Sequence, residues 1–205
     1  MTPGMGAADW DSRYAGKQWR LDFRPTALIV ELVSALRPGR VLELGAGEGR
    51  QAVWLAQQGW QVTAADFSKV GLERAHQRAQ ACGVQIQSLV VDVRDVEQIP
   101  GGFDLVLIAY MHPQPEDREA VFAAVAQAVA PGGHLLVLGL DFTDPNAHRD
   151  GETDDWRFTP DHLRDAFPGI ALSRCESVTR AVPTEHGVQQ AIDTLAWGQR
   201  PVPGR

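Results

Sequence analysis

The segment Arg40-Val-Leu-Glu-Leu-Gly-Ala-Gly-Glu-Gly-Arg50 constrains this chain more than any other. A short apolar run leads directly into three alternating glycines, Gly45, Gly47 and Gly49, and then into a helix-forming stretch. Glycine removes the side chains that would hold a ligand away from the backbone and permits a tight turn. A strand, a glycine turn and a helix N-terminus together form a place for a nucleotide-like group in an open α/β sheet. The spacing is G-x-G-x-G, with Glu43 two positions upstream and Arg50 where the dinucleotide pattern G-x-G-x-x-G needs its third glycine. The Gly-Lys-Ser/Thr ending of a phosphate-binding loop is missing as well.

The rest of the chain alternates strand and helix signals, which predicts an α/β fold with a mainly parallel sheet. Helices are expected at 26–36, from Gly49 to near Gly59, from the Ser68 cap to about Ala81, and from Pro115 through Val121, Phe122, Val125 and Val129. Strands are expected at 41–44, 61–65, 85–91, 103–109 and 134–140, the inner ones as continuous apolar runs because both faces are covered. The polar stretch 141–158 reads as a long loop, and Thr159-Pro160 as the start of a short helix. Two last strands, near 170–179 and 189–197, flank the turn-rich link Pro183–Gly187 and should pair antiparallel.

A chain of 205 residues fits one domain with a full hydrophobic core. Its net charge of −7 argues against non-specific binding to nucleic acid or anionic membranes. The two cysteines, Cys82 and Cys175, have no metal spacing and form no disulfide framework, as expected in a reducing cytoplasm. No apolar run approaches a membrane span, and Met1 to Gly16 is too polar for a signal peptide. The six histidines show no H-x-x-x-H or H-x-H clustering, so no metal is expected.

Asp66 ends the second strand about 20 residues after the first glycine, where Rossmann-like folds place a ribose-binding carboxylate. Its alternative is a solvated turn residue before the Ser68 cap. Asp92 ends the third strand in Val90-Val-Asp-Val-Arg-Asp95. The segment Trp10–Trp19 is aromatic, basic and outside the sheet, either a cover for the site or a helix that docks through Trp10 and Trp19. Tyr110-Met-His-Pro113 follows the fourth strand. There His112 is a candidate general base, an acceptor-orienting group or a cap for the next segment. His148, Arg149 and His186 lie in loops near the expected pocket, where plain surface polarity is the alternative.

In order, Trp10-Asp-Ser-Arg-Tyr14, Val41-Leu-Glu-Leu-Gly-Ala-Gly-Glu-Gly-Arg50, Val62-Thr-Ala-Ala-Asp-Phe-Ser68, Phe103-Asp-Leu-Val-Leu107 and Ala130-Pro-Gly-Gly133 cover nearly the whole chain. This set resembles the class I S-adenosylmethionine (SAM) methyltransferases, in particular the small-molecule group of tellurite-resistance and thiopurine methyltransferases. The resemblance implies a Rossmann-like, seven-stranded, mostly parallel sheet with helices on both faces and a C-terminal antiparallel hairpin. It implies a single domain over 1–205, with 1–24 covering the cofactor or substrate. SAM would be the cofactor and S-adenosylhomocysteine its product.

The resemblance also implies cofactor contacts at Tyr14, Glu43, Gly45, Ala46, Gly47, Asp66, Phe67, Asp92, Val93 and Ala109. In that scheme Asp92 and the Val93 N–H meet the adenine, and the Ala109 carbonyl meets the amino group of SAM. Arg13 would meet a carboxylate or an anionic substrate. Tyr14, Tyr110 and His112 would face the acceptor, a small molecule offering O, N, S or a chalcogen oxyanion. The expected partners include neither nucleic acid nor membrane, and the expected state is monomer or homodimer. A non-catalytic SAM-binding protein is one rival. A nicotinamide-dependent oxidoreductase is another, opposed by the glycine spacing and by Gln18 and Gln114 four residues after the only tyrosines.

Overall fold

The computed structural model describes residues 6–16, 23–145, 156–184 and 187–203. In chain order the elements are α1 (Ala7–Ala15), α2 (Ala27–Val33), β1 (Arg40–Leu44), α3 (Arg50–Gln57), β2 (Gln61–Asp66), α4 (Lys69–Ala81) and β3 (Gln87–Val90). They continue with β4 (Phe103–Ala109), α5 (Arg118–Ala128), β5 (Val129–Leu140), α6 (Pro160–Arg164), β6 (Ala171–Thr184) and β7 (Gly187–Gln199). The strands form one sheet in the order β3-β2-β1-β4-β5-β7-β6. Pairing is parallel from β3 to β5 and antiparallel where β7 joins β5 and β6.

Side chains on a strand alternate between the two faces, so an unbroken apolar run can serve two cores at once. Leu42 and Leu44 of β1, with Val106 and Ile108 of β4, pack with Val121, Phe122 and Val125 of α5 and with Phe158 and Leu163. Val41, Leu105 and Leu107 face the other way and join Ile29 and Val33 of α2, Leu55 of α3, and Leu72 and Ala75 of α4. The strand order reverses between β1 and β4. Such a switch point opens a crevice at the carboxyl ends of the strands, where open α/β sheets bind ligands.

Several boundaries differ from expectation: α2 stops at Val33, short of 36, and β3 covers Gln87–Val90, inside the expected 85–91. Helix α5 begins at Arg118, three residues after Pro115, and ends at Ala128, so Val129 starts β5 instead of closing the helix. Val129 pairs with Phe103, and the register shifts before the next pair, Leu105 with His134. Pro131-Gly-Gly133 therefore lies inside the strand as an irregularity, held by Gly132 N–H donating to the Arg200 carbonyl at 2.8 Å. The terminal hairpin is also longer than expected, its ladder running from Ala171–Gln199 to Thr184–Gly187. Among the described residues no helix is long and apolar enough to cross a membrane.

Candidate active site

The glycine loop is tied to the sheet through its backbone. Gly45 N–H and Ala46 N–H both donate to the Ala65 carbonyl, at 2.8 and 3.0 Å, fixing the turn to the end of β2. Gly45 and Gly47 have φ of +70° and +52°, in the left-handed region that favours glycine. Their faces are also close to neighbours. A Cβ on Gly45 would lie 2.5 Å from the Met111 Cβ, and one on Gly47 would lie 2.5 Å from the Tyr14 hydroxyl oxygen. Asp66 secures the other side of the loop: one carboxylate oxygen accepts from Gly47 N–H and the other from Ser68 N–H, both at 2.8 Å. Burial raises the pKa of Asp66 from the usual carboxylate range, against the opposing effect of these backbone donors.

A cavity of about 450 Å³ opens beside this loop. Gly45, Asp66 and Phe67 line one side, Val91, Asp92 and Val93 a second, and Tyr110 and Met111 a third, while Trp10 and Tyr14 of α1 close it. Asp92 is held by Arg94, whose guanidinium donates to both carboxylate oxygens (Nε to Oδ1 at 3.0 Å, Nη2 to Oδ2 at 2.6 Å). Those hydrogen bonds lower the Asp92 pKa. Of the expected cofactor contacts, Glu43, Ala46 and Gly47 are buried and do not line the cavity, nor does Ala109, which pairs with Leu138 in the β4–β5 ladder.

Glu43 has a different task from the expected cofactor contact. Gly49 is the N-cap of α3 and has no side chain to satisfy the first-turn N–H groups. The Glu43 carboxyl accepts from Ala52 N–H in that turn. Burial lifts its pKa to about 8, with a smaller push from Asp66.

Helix α1 is seated by residues of the WDSRY motif. Asp11 Oδ1 accepts from Ser68 Oγ at 2.5 Å and from Val70 N–H at 3.2 Å, placing a carboxylate at the N-terminus of α4. Arg74 donates to the Tyr14 carbonyl. Gly71 leaves room for the Tyr14 ring, since a Cβ there would come within 3.0 Å of it. Burial, with Asp66 and Glu48 nearby, holds the Tyr14 phenol well above its usual pKa. Arg13 lies over the Trp10 ring, 4.9 Å from its centroid. Asp11 and Met111 were not singled out from sequence, although both sit in segments that were.

The structure separates Tyr110 from His112. Tyr110 lines the cavity at φ +59°, alone among described non-glycine residues in having positive φ. Its hydroxyl donates to Asp193 Oδ2 at 2.8 Å, and Arg180 Nε donates to the same oxygen at 2.6 Å. Neither Asp193 nor Arg180 stood out in sequence, because only the hairpin brings them to the end of β4. His112, expected to face the acceptor, is 1 % exposed and does not line the cavity. Its Nε2 accepts from Leu140 N–H at 2.8 Å, and its ring packs against Trp156 and Phe158 at centroid distances of 5.0 and 4.7 Å. Burial drives its pKa well below the usual histidine value. A neutral imidazole whose lone pair is spent on a backbone N–H does not serve as the base, and the group it caps is Leu140 N–H at the end of β5, not the segment that follows it.

His112→Ala is expected to orphan the Leu140 N–H and cost about 2–5 kcal/mol of stability through that donor and the cavity left behind. S-adenosylhomocysteine affinity should not change. Denaturant unfolding and calorimetry check both, and unchanged stability would remove the structural role.

Trp19, His148, Arg149 and His186 lie outside the described residues. Among those described, no group of His, Cys, Asp or Glu is arranged to hold a metal ion. Cys82 and Cys175 are both free thiols.

Residues 41–133 match the family described as a methyltransferase domain. Over that span the chain is similar to methyltransferase domains. A demethylmenaquinone methyltransferase from Thermus thermophilus is 33 % identical over 119 residues, 57 % of this chain and 54 % of that protein. The chain thus spans about half the length of the curated relatives it matches. A solved structure from work on the conversion of a disulfide bond into a thioacetal group in echinomycin biosynthesis superposes with a TM-score of 0.78. It shares 23 % identity, over 97 % of this chain and 94 % of that one. TehB from Haemophilus influenzae gives a TM-score of 0.68 at 15 % identity, over 95 % of this chain and 66 % of that one. These superpositions show that the chain shares its fold with those structures.

Proposed function

We propose that this chain is a class I methyltransferase that binds SAM in the cavity between the glycine loop and α1 and transfers its methyl group to a small-molecule acceptor. The observation that carries the reading is the glycine loop with Asp66 and Tyr14. Gly45, an acid at the end of β2 and an aromatic cover line one cavity, and Gly47 ties the last two together, its N–H bonded to Asp66 and its Cα against the Tyr14 hydroxyl. The residues present suit the group. The buried Trp10 Nε1–H has no hydrogen-bond partner among the described residues and stands at the cavity edge, ready to donate.

Asp66 would hold the ribose hydroxyls with the acceptor capacity left beside its bonds from Gly47 and Ser68 N–H and the weaker approach of Phe67 N–H. Asp92 and the Val93 N–H would meet the adenine, with Arg94 fixing the orientation of the acid. When bound, SAM supplies an electrophilic methyl on a sulfonium, so the protein needs to orient the acceptor and exclude water. The acceptor lone pair forms the new bond as the carbon–sulfur bond breaks and its electrons stay on sulfur. Tyr14 and Trp10 would exclude solvent from that event. The Tyr110 proton is directed at Asp193, and burial and that carboxylate hold the phenol well above its usual pKa. Tyr110 would therefore orient the acceptor through its oxygen and not deprotonate it. The acidic composition supports small-molecule substrates in preference to nucleic acid or membrane, and the two free cysteines fit a cytoplasmic location.

Calorimetric titration with SAM, S-adenosylhomocysteine and NAD tests the proposal, and tight binding of NAD alone would defeat it. Asp66→Ala should weaken S-adenosylhomocysteine binding by roughly 1.5–3 kcal/mol, the value of a hydrogen bond to a charged group. It should also lower stability, since Gly47 N–H and Ser68 N–H lose their acceptor. Unchanged affinity in a folded variant would remove the ribose assignment.

A further inference from the structure

Tyr110 also forms part of the wall of a second, wider recess of about 1730 Å³, on the side of the tyrosine toward α2 and the terminal hairpin. Its polar lining is strongly one-sided. Arg24, Arg50, Arg174 and Arg180 face it against only Glu31 and Asp193, in a chain whose overall charge is −7. Two of the four cations are already committed: Arg174 to Glu176 at 2.7 Å, and Arg180 to Asp193 at 2.6 Å. No carboxylate partner engages Arg24 or Arg50 among the described residues. Arg50 is nonetheless positioned, its guanidinium 5.0 Å from the centroid of the Phe23 ring. Apart from Thr26 and Thr179 the remaining lining is apolar, with Leu28, Leu138 and Val178 its largest members.

From this juxtaposition we infer that the acceptor is an amphipathic organic acid. Its apolar body would lie on Leu28, Leu138 and Val178, its acidic group would be met by Arg24 and Arg50, and its methyl-accepting atom would be presented at Tyr110. The inference rests on the methyltransferase reading and extends it to substrate class. Arginine suits the task because its planar fork binds a carboxylate through two parallel hydrogen bonds and keeps its charge at any working pH. The absence of a neutral-range base at Tyr110 and His112 points the same way. An accepting atom that is itself anionic, such as a thiolate on the same molecule, attacks with a lone pair it already carries, and no proton has to be removed.

The test uses the full chain saturated with S-adenosylhomocysteine, titrated with 4-hydroxybenzoate, 3-mercaptobenzoate and the corresponding amides, with inorganic phosphate as a further ligand. The acids should bind at least about tenfold more tightly than the amides, and Arg24→Gln with Arg50→Gln should erase that preference. Both arginines are exposed, so the variant should fold normally, and its affinity for S-adenosylhomocysteine should match that of the parent. Equal binding of acids and amides, or no binding of either, overturns the inference while leaving the cofactor reading intact. Phosphate binding as tightly as the aromatic acids removes the amphipathic part. Weakened S-adenosylhomocysteine binding in the variant assigns the arginines to the carboxylate of the cofactor itself and also overturns the inference. Failure of the parent protein to bind S-adenosylhomocysteine at all counts instead against the proposed function.

Discussion

Gly47→Val is expected to yield a folded protein that does not measurably bind S-adenosylhomocysteine. The backbone there has φ +52°, and a side chain in the left-handed region costs roughly 1–2 kcal/mol, with β-branched residues the worst accommodated. The greater effect is on the site. The first added carbon would already stand 2.5 Å from the Tyr14 hydroxyl oxygen and 3.3 Å from its ring carbon. Tyr14 has little freedom to retreat, because Arg74 holds its carbonyl and Gly71 and the Gly47 loop bracket its ring. Moving the loop instead would break the 2.8 Å bond from Gly47 N–H to Asp66. Either response dismantles the cover or the acid expected to hold the ribose, and an affinity loss of at least roughly 100-fold, or about 2.7 kcal/mol, is expected. Calorimetry measures the affinity and thermal unfolding the cost in stability. Parental affinity in a folded Gly47→Val protein would show that the cofactor does not lie against this loop.

The fold was legible because its strands are short apolar runs separated by glycine, proline and capping residues, as at Ser68 and Thr159. The boundary at Val129 was not. Val129 stands four residues after Val125 and so continues the helical period, but it is used to pair with Phe103. Periodicity reports which residues are buried, and a buried valine serves a helix or a strand equally well. The site shows the same division. Gly47, Asp66 and Asp92 stand at strand ends in a recognisable order, whereas the state of His112 depends on Leu140, Trp156 and Phe158, distant in sequence. The Tyr110–Asp193–Arg180 group is likewise a product of topology. It joins the end of β4 to a hairpin 83 residues on, through the insertion of β7 beside β5.

Glu43 carries the strongest expected pH dependence. Its pKa is lifted from 4.5 to about 8 because the carboxyl is buried in β1, and hydrogen bonding to Ala52 N–H only partly offsets that. Below pH 4.5 the group is protonated both folded and unfolded, and its contribution to stability is complete. Between 4.5 and about 8 the unfolded chain releases this proton while the folded protein keeps it, so stability falls as pH rises and levels off above about 8. The loss is on the order of a few kcal/mol, since each pKa unit is worth about 1.4 kcal/mol. Asp66, also raised, adds a slope of the same sign, while His112, depressed, gives the opposite slope as pH falls below the usual histidine range. Glu43→Gln separates these effects: the amide oxygen can still accept from Ala52 N–H, but the side chain has no proton to lose. The variant should be more stable than the parent near pH 8.5, with the advantage shrinking steadily toward pH 5, as read by urea unfolding across that range. A difference that did not vary with pH would mean that Glu43 titrates as an ordinary carboxylate and that α3 is capped by an ionised acid.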